Sequence, residues 1–424
     1  MHGRARPPVP GCLESDRHRP LASDEHGKGA GRIRSRSENS SPPLKAPASR
    51  RLVTSDWGEW TEEQVSAIRQ ADRWRILEGL DGPGPRFGSD RSHGAGLVSF
   101  ASNDYLGLAA HPAVVGAARE ALDRFGAGAT SSRLIAGDRT VHHALEDRLA
   151  AWRGTEAALV FPTGYQTNVA VLTTFGSGAR IVSDELNHAS IIDGARLSRA
   201  DVQVYRHGDL EQAGRLVAEA PGRVLVVTDS VFSMDGDVAP LGGLSEICAR
   251  HGALLVVDDA HAVFPLPDVD PEALVMRVGT LSKALGSQGG FVAGPRRWME
   301  LLVNLGRSFI FTTGLAPAST AAAMAAVEVI DSAEGAGRLD RLRRHTDAIR
   351  PGHPSPIVAV VLGEEGAALA AAAALRRQGL RVPAIRPPTV SPGASRLRVS
   401  LSAAHDESDV ARLGRALAGL VSVQ

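Results

Sequence analysis

The sequence predicts an α/β fold built on a mainly parallel sheet, and three observations support that prediction. Six short apolar runs, rich in valine and leucine, alternate with helical stretches between residues 157 and 283. The runs are continuous rather than interrupted by polar residues, as is typical of strands buried on both faces of a parallel sheet. Polar or glycine residues follow nearly every run. Because ligands bind beyond the carboxyl ends of such strands, we expect these ends to form one site.

The first part of the chain differs from this α/β pattern. Residues 1–50 are rich in arginine, proline, serine and glycine, so they are predicted to be a disordered extension. One hypothesis is that translation starts at Val53, so that these residues are not made. Residues 51–105 are predicted to be a segment of helix and strand. Within residues 57–80, four apolar side chains have helical spacing: Val65, Ile68, Trp74 and Leu77.

The remainder is predicted to form two domains. Residues 106–310 are assigned to a large domain that carries the site, and residues 311–424 to a smaller C-terminal α+β domain. In the large domain, one helix is expected to begin near Pro112 and another to end at Gly154, since proline favours the first turn of a helix and glycine its end.

Composition excludes several classes of protein. Lysine plus arginine and aspartate plus glutamate both total 47, so no net positive charge indicates a nucleic-acid partner. No apolar run approaches the roughly 18–20 residues of a membrane span. The two cysteines, Cys12 and Cys248, can form neither a disulfide framework nor a zinc site. We therefore expect a cytoplasmic protein without metal, nucleic-acid or membrane partners.

Lysine is almost absent from this chain. From residue 51 onward the only lysine is Lys283, in “TLSKALGSQGG”, whereas arginine is abundant. Arginine can replace lysine as a surface cation, but only lysine readily loses its proton and acts as a nucleophile or base. Lys283 is therefore a candidate catalytic amine. From the number of lysines alone, chance retention of Lys283 is an equally good explanation.

The run “ALLVVDDAH” places Asp258, Asp259 and His261 at the end of a buried strand. A magnesium-binding Walker strand is excluded because no G-x-x-x-x-G-K-[ST] motif accompanies it. A carboxylate here could keep a cofactor's pyridine nitrogen protonated, which makes the ring an electron sink. The alternative is an aspartate that caps the following turn.

Three other strand ends carry candidate side chains. Gly164 and Tyr165 lie at a predicted helix N-terminus, where backbone N–H groups bind phosphate, although an ordinary turn is the alternative. His188 offers a ring for stacking, or is a surface residue. Asp229 and Ser233 follow a further strand. A phosphate anchor, a stacking ring, an acid and a lysine together describe a site for pyridoxal 5′-phosphate.

Seven stretches carry a resemblance to a known family: “SNDYLGLAAHP”, “GAGATSSRLIAGDRTVHHALE”, “NHAS”, “TDSVFSMDGDVAPL”, “VVDDAH”, “TLSKALGSQGG” and “AIRPPTV”. They resemble the α-oxoamine synthases, which are fold-type I pyridoxal phosphate enzymes, across residues 60–420. The resemblance implies a fold-type I transferase with a mainly parallel seven-stranded sheet, a smaller C-terminal α+β domain and a homodimer.

The resemblance also implies roles for the cofactor-binding residues. Lys283 would bind pyridoxal phosphate covalently, Asp258 would pair with the ring nitrogen, and His261 would bond to the ring hydroxyl. The remaining residues on the cofactor would be His188, stacked on the ring, and Gly164, Tyr165, Ser233 and Thr280, near the phosphate. Thr312 or Thr313 would reach the phosphate of the neighbouring subunit.

The substrate side is implied in the same way. Arg386 would bind the amino-acid carboxylate, Asn103 and Thr389 would lie near the substrate, and Arg75 would lie on the acyl-CoA side. The stretch “AIRPPTVSPGASRLRVSLSAAH” is most similar to the members of biotin biosynthesis, which condense L-alanine with pimeloyl-CoA or a pimeloyl carrier protein. One alternative is condensation of glycine or serine with a different acyl-CoA.

The sequence departs from the family at two places. After His261, relatives continue with a long glycine-rich segment, whereas this chain has Ala262 and then “VFPLPDVDPEALVMRVG”. A second shortening precedes “PSPIVAVV”. A second alternative is therefore a pyridoxal-phosphate-fold pseudoenzyme that has lost catalysis through the shortened segment.

Overall fold

The computed structural model describes residues 56–71, 73–82, 84–87 and 96–421. The disorder predicted for residues 1–50 and the hypothesis on Val53 lie outside these residues. The chain divides into two compact units, one that ends at Trp74 and one that begins at Arg75.

The described residues form short strands and helices in alternation. The strands in chain order are β1 (Arg86–Phe87), β2 (Leu97–Ser99), β3 (Ala157–Phe161), β4 (Arg180–Asp184), β5 (Asp201–Tyr205), β6 (Val224–Asp229), β7 (Leu254–Asp258), β8 (Leu274–Thr280), β9 (Gly290–Gly294), β10 (Ile357–Gly363), β11 (Leu380–Arg381), β12 (Ala384–Ile385) and β13 (Ser395–Ser400). The helices are α1 (Asp56–Gln70), α2 (Pro112–Phe125), α3 (Thr140–Arg153), α4 (Gly164–Phe175), α5 (Ala189–Ser198), α6 (Leu210–Ala218), α7 (Leu241–His251), α8 (Arg296–Leu305), α9 (Arg307–Ile310), α10 (Pro317–Ile330), α11 (Ala333–Ile349), α12 (Glu365–Arg377) and α13 (Glu407–Val421).

Helix α1 is shorter than the apolar spacing predicts. It ends at Gln70, and residues 73–80 contain no helix, so the helical prediction for these residues was wrong. Helices of this length depend on packing of an apolar face. No residue of α1 is buried, and Ile76 and Leu77, further along, are almost fully exposed. The helical spacing of apolar residues therefore did not predict the end of α1, because these side chains are not buried.

The large sheet confirms the predicted mainly parallel, seven-stranded architecture. Its order is β3-β9-β8-β7-β6-β4-β5, and the strands from β8 to β5 run parallel. Strand β9 runs antiparallel to both of its neighbours, β3 and β8. The sequence analysis missed β9. Its Gly290 is required by close packing, because a Cβ there would lie 2.5 Å from the Gly164 Cα of α4.

Helices cover both faces of this sheet, which explains the continuous apolar runs. In β6, Leu225 and Val227 pack on the side of α4 and α5, whereas Val224 and Val226 pack on the side of α6 and α7. The predicted helix boundaries at Pro112 and Gly154 agree with α2 and α3. Strand β5 is the exception among the runs, since it lies at the sheet edge and is mostly exposed.

Two small sheets complete the described part of the chain. Strands β10, β13 and β12 form an antiparallel sheet in the order β10-β13-β12. Strand β2 pairs with both β1 and β11, so the strands before residue 105 share a sheet with residues of the C-terminal half. The predicted domain boundaries stay predictions. Among the described helices, none has the length and hydropathy that a membrane crossing requires.

Candidate functional site

A cavity of about 180 Å³ opens at the carboxyl ends of the parallel strands. Its lining includes Asp229 and eight residues for which the sequence predicts cofactor contacts: Gly164, Tyr165, His188, Ser233, Asp258, His261, Thr280 and Lys283. These residues are spread over more than a hundred positions of the chain, and the parallel topology brings them together. The strand ends thus meet in one pocket.

Lys283 is half-buried in the loop that follows β8. Burial lowers the pKa of its amine, while the nearby carboxylates of Asp258 and Asp229 oppose that shift and Arg398 adds to it. The loop is close to the backbone of a neighbouring turn. Gly286 has a φ of 59°, and a Cβ there would lie 2.3 Å from the Ala109 nitrogen. The glycines around Lys283 therefore serve close packing of the loop.

Asp258 ends β7 and is buried. Its Oδ2 accepts a hydrogen bond from Asn168 Nδ2 at 2.6 Å, and its Oδ1 accepts one from the Ala260 N–H at 2.9 Å. Asp258 therefore caps the next turn and faces the pocket as well. Its neighbour Asp259 has a different environment, because it forms an ion pair with Arg277 at 3.0 Å.

His188 stands at the N-cap of α5, on an exposed part of the pocket wall. Its backbone N–H donates to Asp229 Oδ2 at 2.9 Å. Its Nδ1 accepts from the Ser190 N–H at 3.2 Å and lies 2.8 Å from the Ser190 hydroxyl. Partial desolvation lowers the pKa of His188, Asp258 opposes that shift, and Lys283 adds to it.

Asp229 is a buried carboxyl group close to Asp258. Burial, together with the charge of Asp258, raises its pKa well above the usual range. Two carboxyl groups in one desolvated site resist simultaneous ionisation. A cation between or above them would relieve this repulsion, which is a property that suits a protonated pyridine ring or a lysine ammonium.

His261 is buried and lies opposite Tyr105, whose hydroxyl is 2.6 Å from His261 Nδ1. Burial, Lys283 and Arg398 hold the pKa of His261 well below its ordinary value, so its ring is neutral near pH 7. Tyr105 also donates to Asn103 Oδ1 at 3.1 Å, and Arg398 donates to that same oxygen at 3.2 Å.

The N-terminus of α4 faces the cavity. Thr163 caps the helix by accepting a hydrogen bond from the Gln166 N–H at 3.1 Å. A Cβ at Gly164 would lie 3.4 Å from the Thr280 side chain, so glycine keeps this approach open. Free N–H groups at the start of a helix bind phosphate. The exposed Tyr165 bonds through its hydroxyl to Asp193.

Ser233 is carried by the loop between the paired residues Val231 and Val238. Two arginines of β13 hold this loop: Arg398 donates to the Ser233 carbonyl, and Arg396 forms an ion pair with Asp235. Both arginines are buried. The position of Ser233 in the pocket therefore depends on the small antiparallel sheet.

The other predicted residues do not line the cavity of the single chain. Thr312 accepts a hydrogen bond from Gln166, Thr313 pairs with Ser132, and the Thr389 N–H donates to the Arg386 carbonyl. Arg75 is exposed, whereas Asn103 reaches the site through Tyr105. The roles of these six residues, Asn103, Arg75, Arg386, Thr389, Thr312 and Thr313, stay predictions.

The two segments that are predicted to be shorter than in relatives are linked through Arg343. Phe264, three residues after His261, is buried in the main hydrophobic cluster. The Arg343 guanidinium lies 3.5 Å from the centre of the Phe264 ring and donates to the His353 carbonyl at 2.8 Å. The shortened loop after His261 is therefore anchored, and His261 remains in the pocket lining.

Four residues at the site were not predicted: Asn168, Ser190, Tyr105 and Arg398. Asn168 lies four residues after Gly164, in “FPTGYQTN”, and Ser190 ends “NHAS”, so both lie close to residues that the sequence singled out. Tyr105 and Arg398 also lie inside quoted stretches, but their contacts with His261 and with the Ser233 carbonyl join residues more than a hundred positions apart, so these contacts had no local signal.

The residues present fit pyridoxal phosphate. A helix N-terminus is available for the phosphate, a carboxylate for the ring N–H, and two imidazoles and an amine for the rest of the ring. In the described part of the chain, the buried Asn168 Oδ1 has no hydrogen-bond partner, which leaves an acceptor in the pocket lining. The donor set thus matches the cofactor that the sequence predicts.

Known proteins resemble this chain in sequence and structure. Enzymes named 8-amino-7-oxononanoate synthase from Anaeromyxobacter dehalogenans and Marinobacter nauticus are 48% and 43% identical to it, over 86% and 85% of this chain and 96% of each relative. Serine palmitoyltransferase from S. paucimobilis has a TM-score of 0.79 at 28% identity, covering 88% of this chain and 99% of that chain. The Sphingomonas wittichii serine palmitoyltransferase has a TM-score of 0.77 at 30% identity, with 88% and 98% covered.

The family is also shown by a broader match. The family model described as aminotransferase class I and II matches residues 95–417, which is well over half of the chain. The resemblance predicted from the motifs is confirmed. The chain belongs to the aminotransferase class I and II family and, within it, to the α-oxoamine synthases.

Proposed function

We propose that this chain condenses L-alanine with pimeloyl-CoA, or with a pimeloyl carrier protein, and releases CO2 and the thiol to give 8-amino-7-oxononanoate for biotin biosynthesis. Relatives with that printed name are 43–49% identical over most of the chain. The observation that carries the proposal is Lys283. The only lysine from residue 51 onward lies in one pocket with Asp258 and two neutral imidazoles.

The cofactor of this reaction is pyridoxal phosphate, which supplies an electron sink for the charge that develops at the amino-acid Cα. Asp258 would accept a hydrogen bond from the ring N–H, and its charge would keep that proton in place. The N-terminus of α4 at Gly164 and Tyr165, with Ser233 and Thr280, lines the same cavity and would hold the phosphate. His188 would cover one face of the ring, and His261 would bond to the ring hydroxyl.

Lys283 accepts the Cα proton of alanine at Nζ. A neutral amine is needed for this step, and burial favours the neutral form by lowering the pKa. Asp258 and Asp229 limit the shift, so the amine also regains a proton easily. The same Nζ returns a proton to carbon after CO2 has left.

Two arginines are proposed to hold the amino-acid carboxylate. Arg386 has that role by resemblance. Arg398 is buried, and the partners to which it donates, the oxygens of Ser233, Ser400 and Asn103, are all uncharged. Among the residues described, no carboxylate forms an ion pair with Arg398. Its charge is therefore available to an anionic substrate group.

We also propose a homodimer. Leu134 and Ile135, in the π-helical turn Arg133–Gly137, and Phe311 are 51%, 81% and 70% exposed. The pairing of Ser132 with Thr313 joins the two segments that carry them. An exposed apolar patch of this kind supports an interface, and Thr312 and Thr313 would then lie at the subunit boundary. Sedimentation velocity would test this assembly, since a monomer at micromolar concentration would contradict it.

A cytoplasmic location is proposed from the low cysteine content, since two cysteines cannot form the disulfide framework that is common in secreted proteins. Cys248 is buried as a free thiol. Fractionation of cells that produce the protein natively would check the location, and recovery outside the cytoplasm would contradict it.

The reaction is tested with the purified protein, added pyridoxal phosphate, L-alanine and pimeloyl-CoA. Release of the CoA thiol and the mass of the product report turnover. Glycine and serine, and acyl-CoA thioesters of other lengths, form the comparison panel. We expect the alanine and pimeloyl pair to give the highest kcat/KM. Faster condensation of another pair would identify a different α-oxoamine synthase, and cofactor binding without any turnover would identify a pseudoenzyme.

A further inference from the structure

Asn168 is a buried side chain in α4 that contacts two groups of the pocket at once. It is 2% exposed. Its Nδ2 donates to Asp258 Oδ2 at 2.6 Å and to the Ser190 hydroxyl at 2.9 Å. Both hydrogens of a single amide nitrogen are therefore used, one toward the carboxylate and the other toward α5.

The orientation of this amide follows from its partner. A carboxylate only accepts hydrogen bonds, so the NH2 group and not the carbonyl oxygen of Asn168 faces Asp258. The second hydrogen on the same nitrogen then points at the Ser190 oxygen. The Ser190 oxygen acts as an acceptor in this contact, so its own hydrogen is free to point elsewhere.

The next contact along this path is with His188. The Ser190 hydroxyl lies 2.8 Å from His188 Nδ1, and the Ser190 backbone N–H donates to the same Nδ1 at 3.2 Å. A nitrogen that faces two donors carries no proton. A neutral imidazole with an unprotonated Nδ1 carries its proton on Nε2.

We infer that Asn168 is a positioning residue that holds Asp258 and, through Ser190, fixes His188 in its Nε2–H form. This inference rests on the cofactor site proposed above, in which Asp258 and His188 both contact the ring. The amide nitrogen of Asn168 therefore sets both the position of the Asp258 carboxylate and the protonated nitrogen of the His188 ring. A change at Asn168 should affect both residues.

Two substitutions separate the two links. Asn168→Leu has nearly the same shape as asparagine but removes both donors without adding a charge, so neither Asp258 nor the Ser190 oxygen receives a hydrogen bond from this position. Ser190→Ala removes only the link to His188. Thr173→Ala is the matched control, because the Thr173 hydroxyl in the same helix bonds only to carbonyls of α4.

The first measurement is the dissociation constant of pyridoxal phosphate for each variant. Loss of a hydrogen bond to a charged group predicts about ten- to a hundredfold weaker binding in Asn168→Leu. Ser190→Ala should weaken binding by less than Asn168→Leu, since the contact with Asp258 remains. Thr173→Ala should match the wild type. Circular dichroism confirms that each variant is folded. Equal affinity of Asn168→Leu and the wild type would overturn the inference.

The second measurement is made on cofactor-free protein with nitrogen-15-labelled histidine. We expect the NMR spectrum of the wild type to show His188 with an unprotonated Nδ1. In Asn168→Leu the Ser190 oxygen loses its donor, so the Ser190 hydrogen is no longer oriented toward Nδ1 and His188 should gain its second proton at a higher pH than in the wild type. A protonated Nδ1 in neutral wild-type His188, or a titration unchanged in that variant, would contradict the inference.

The two failures can be told apart. If the wild type does not bind pyridoxal phosphate, the proposed function fails, yet the NMR measurement still tests the contacts among Asn168, Ser190 and His188. If the wild type binds the cofactor and turns over while the variants behave as the control does, only the positioning role of Asn168 fails.

Discussion

The large parallel sheet and the small antiparallel sheet contribute to the pocket in different ways. Strands β4, β7 and β8 of the large sheet lead directly into His188, Asp258 and Lys283. No described residue of the small sheet lines the cavity, but Arg396 and Arg398 of β13 hold the loop that carries Ser233. The large sheet supplies the reactive groups, and the small sheet sets the position of one pocket wall.

The difference follows from strand geometry. The carboxyl ends of parallel strands lie at one edge of a sheet, so the residues after them converge. In an extended strand, residues two apart share a face, which directs the side chains of Arg396 and Arg398 toward the same loop. Reactive residues can therefore be found at strand ends, whereas residues that position them lie within a strand.

The largest effect is expected where the large sheet supplies its amine. Lys283→Arg keeps the positive charge but removes a group that can bind the cofactor covalently and take a proton. We expect kcat to fall by about a thousandfold or more. Product formation followed by mass spectrometry, with the visible absorbance of bound cofactor, provides the measurement. Turnover near the wild-type rate would contradict the assignment of Lys283.

A smaller effect is expected from the small sheet. Arg398→Met removes a buried cation and three donated hydrogen bonds, so kcat/KM for L-alanine should fall by about ten- to a hundredfold. The loss should appear mainly in KM for alanine if Arg398 binds its carboxylate. Arg344→Met, at an exposed position of α11, is the control. An unchanged KM would show that the small sheet does not contact the substrate.

The stability of the segment that follows β13 should depend on pH through His405. His405 is buried, stacks on Phe100 and accepts a hydrogen bond from the Ser402 N–H at 3.0 Å. Burial lowers its pKa from 6.5 to about 4. The unfolded chain then binds more protons between these values, so stability falls as pH drops from 6.5 toward 4.

Protonation of His405 is expected to lower the free energy of unfolding by about 3 kcal/mol as the pH falls from 6.5 to 4. Denaturant unfolding of the wild type and of His405→Gln at pH 7 and at low pH measures it. We expect the variant to be less stable at pH 7 but to lose less stability on acidification. If the free energy of unfolding depended on pH equally in the two proteins, His405 would not be the source of this pH dependence.

The smallest effect is expected from the outer of the two arginine contacts. Asp235→Asn removes the ion pair with Arg396 but leaves the Arg398 contact to the Ser233 carbonyl. Because Asp235 is 38% exposed, the pair should contribute about 1 kcal/mol or less. Melting temperature and kcat/KM should both change little. A loss as large as that of Arg398→Met would mean that the two contacts act as one unit.

Much of the pocket could be predicted because its residues follow recognisable apolar runs. Asp258 and His188 come directly after such runs, and Lys283 stands out by residue type alone. Strand β9 escaped prediction because “GFVAG” is short and bounded by glycines, which are uncommon within strands. The end of α1 could not be predicted either, because the helical spacing of apolar residues continues to Trp74 and Leu77, both of which are exposed.

The unpredicted site residues depend on contacts between distant parts of the chain. Tyr105 and His261 are 156 residues apart, and Asn103 and Arg398 are 295 apart. Apolar spacing reports on local structure and carries no information on such pairs. Asn168 is a different case. An asparagine inside a helix had no obvious partner until β7 and α5 were placed beside it.

The contact of Phe264 with Arg343 has a consequence for loop exchange between relatives. A longer glycine-rich segment grafted after His261 would displace Phe264 and leave the Arg343 guanidinium without its aromatic partner. The hydrogen bond that Arg343 donates to the His353 carbonyl would then be weakened, because the guanidinium would no longer be held by the ring. Because Arg343 contacts both segments, we expect a functional chimera to need both of them from the same parent.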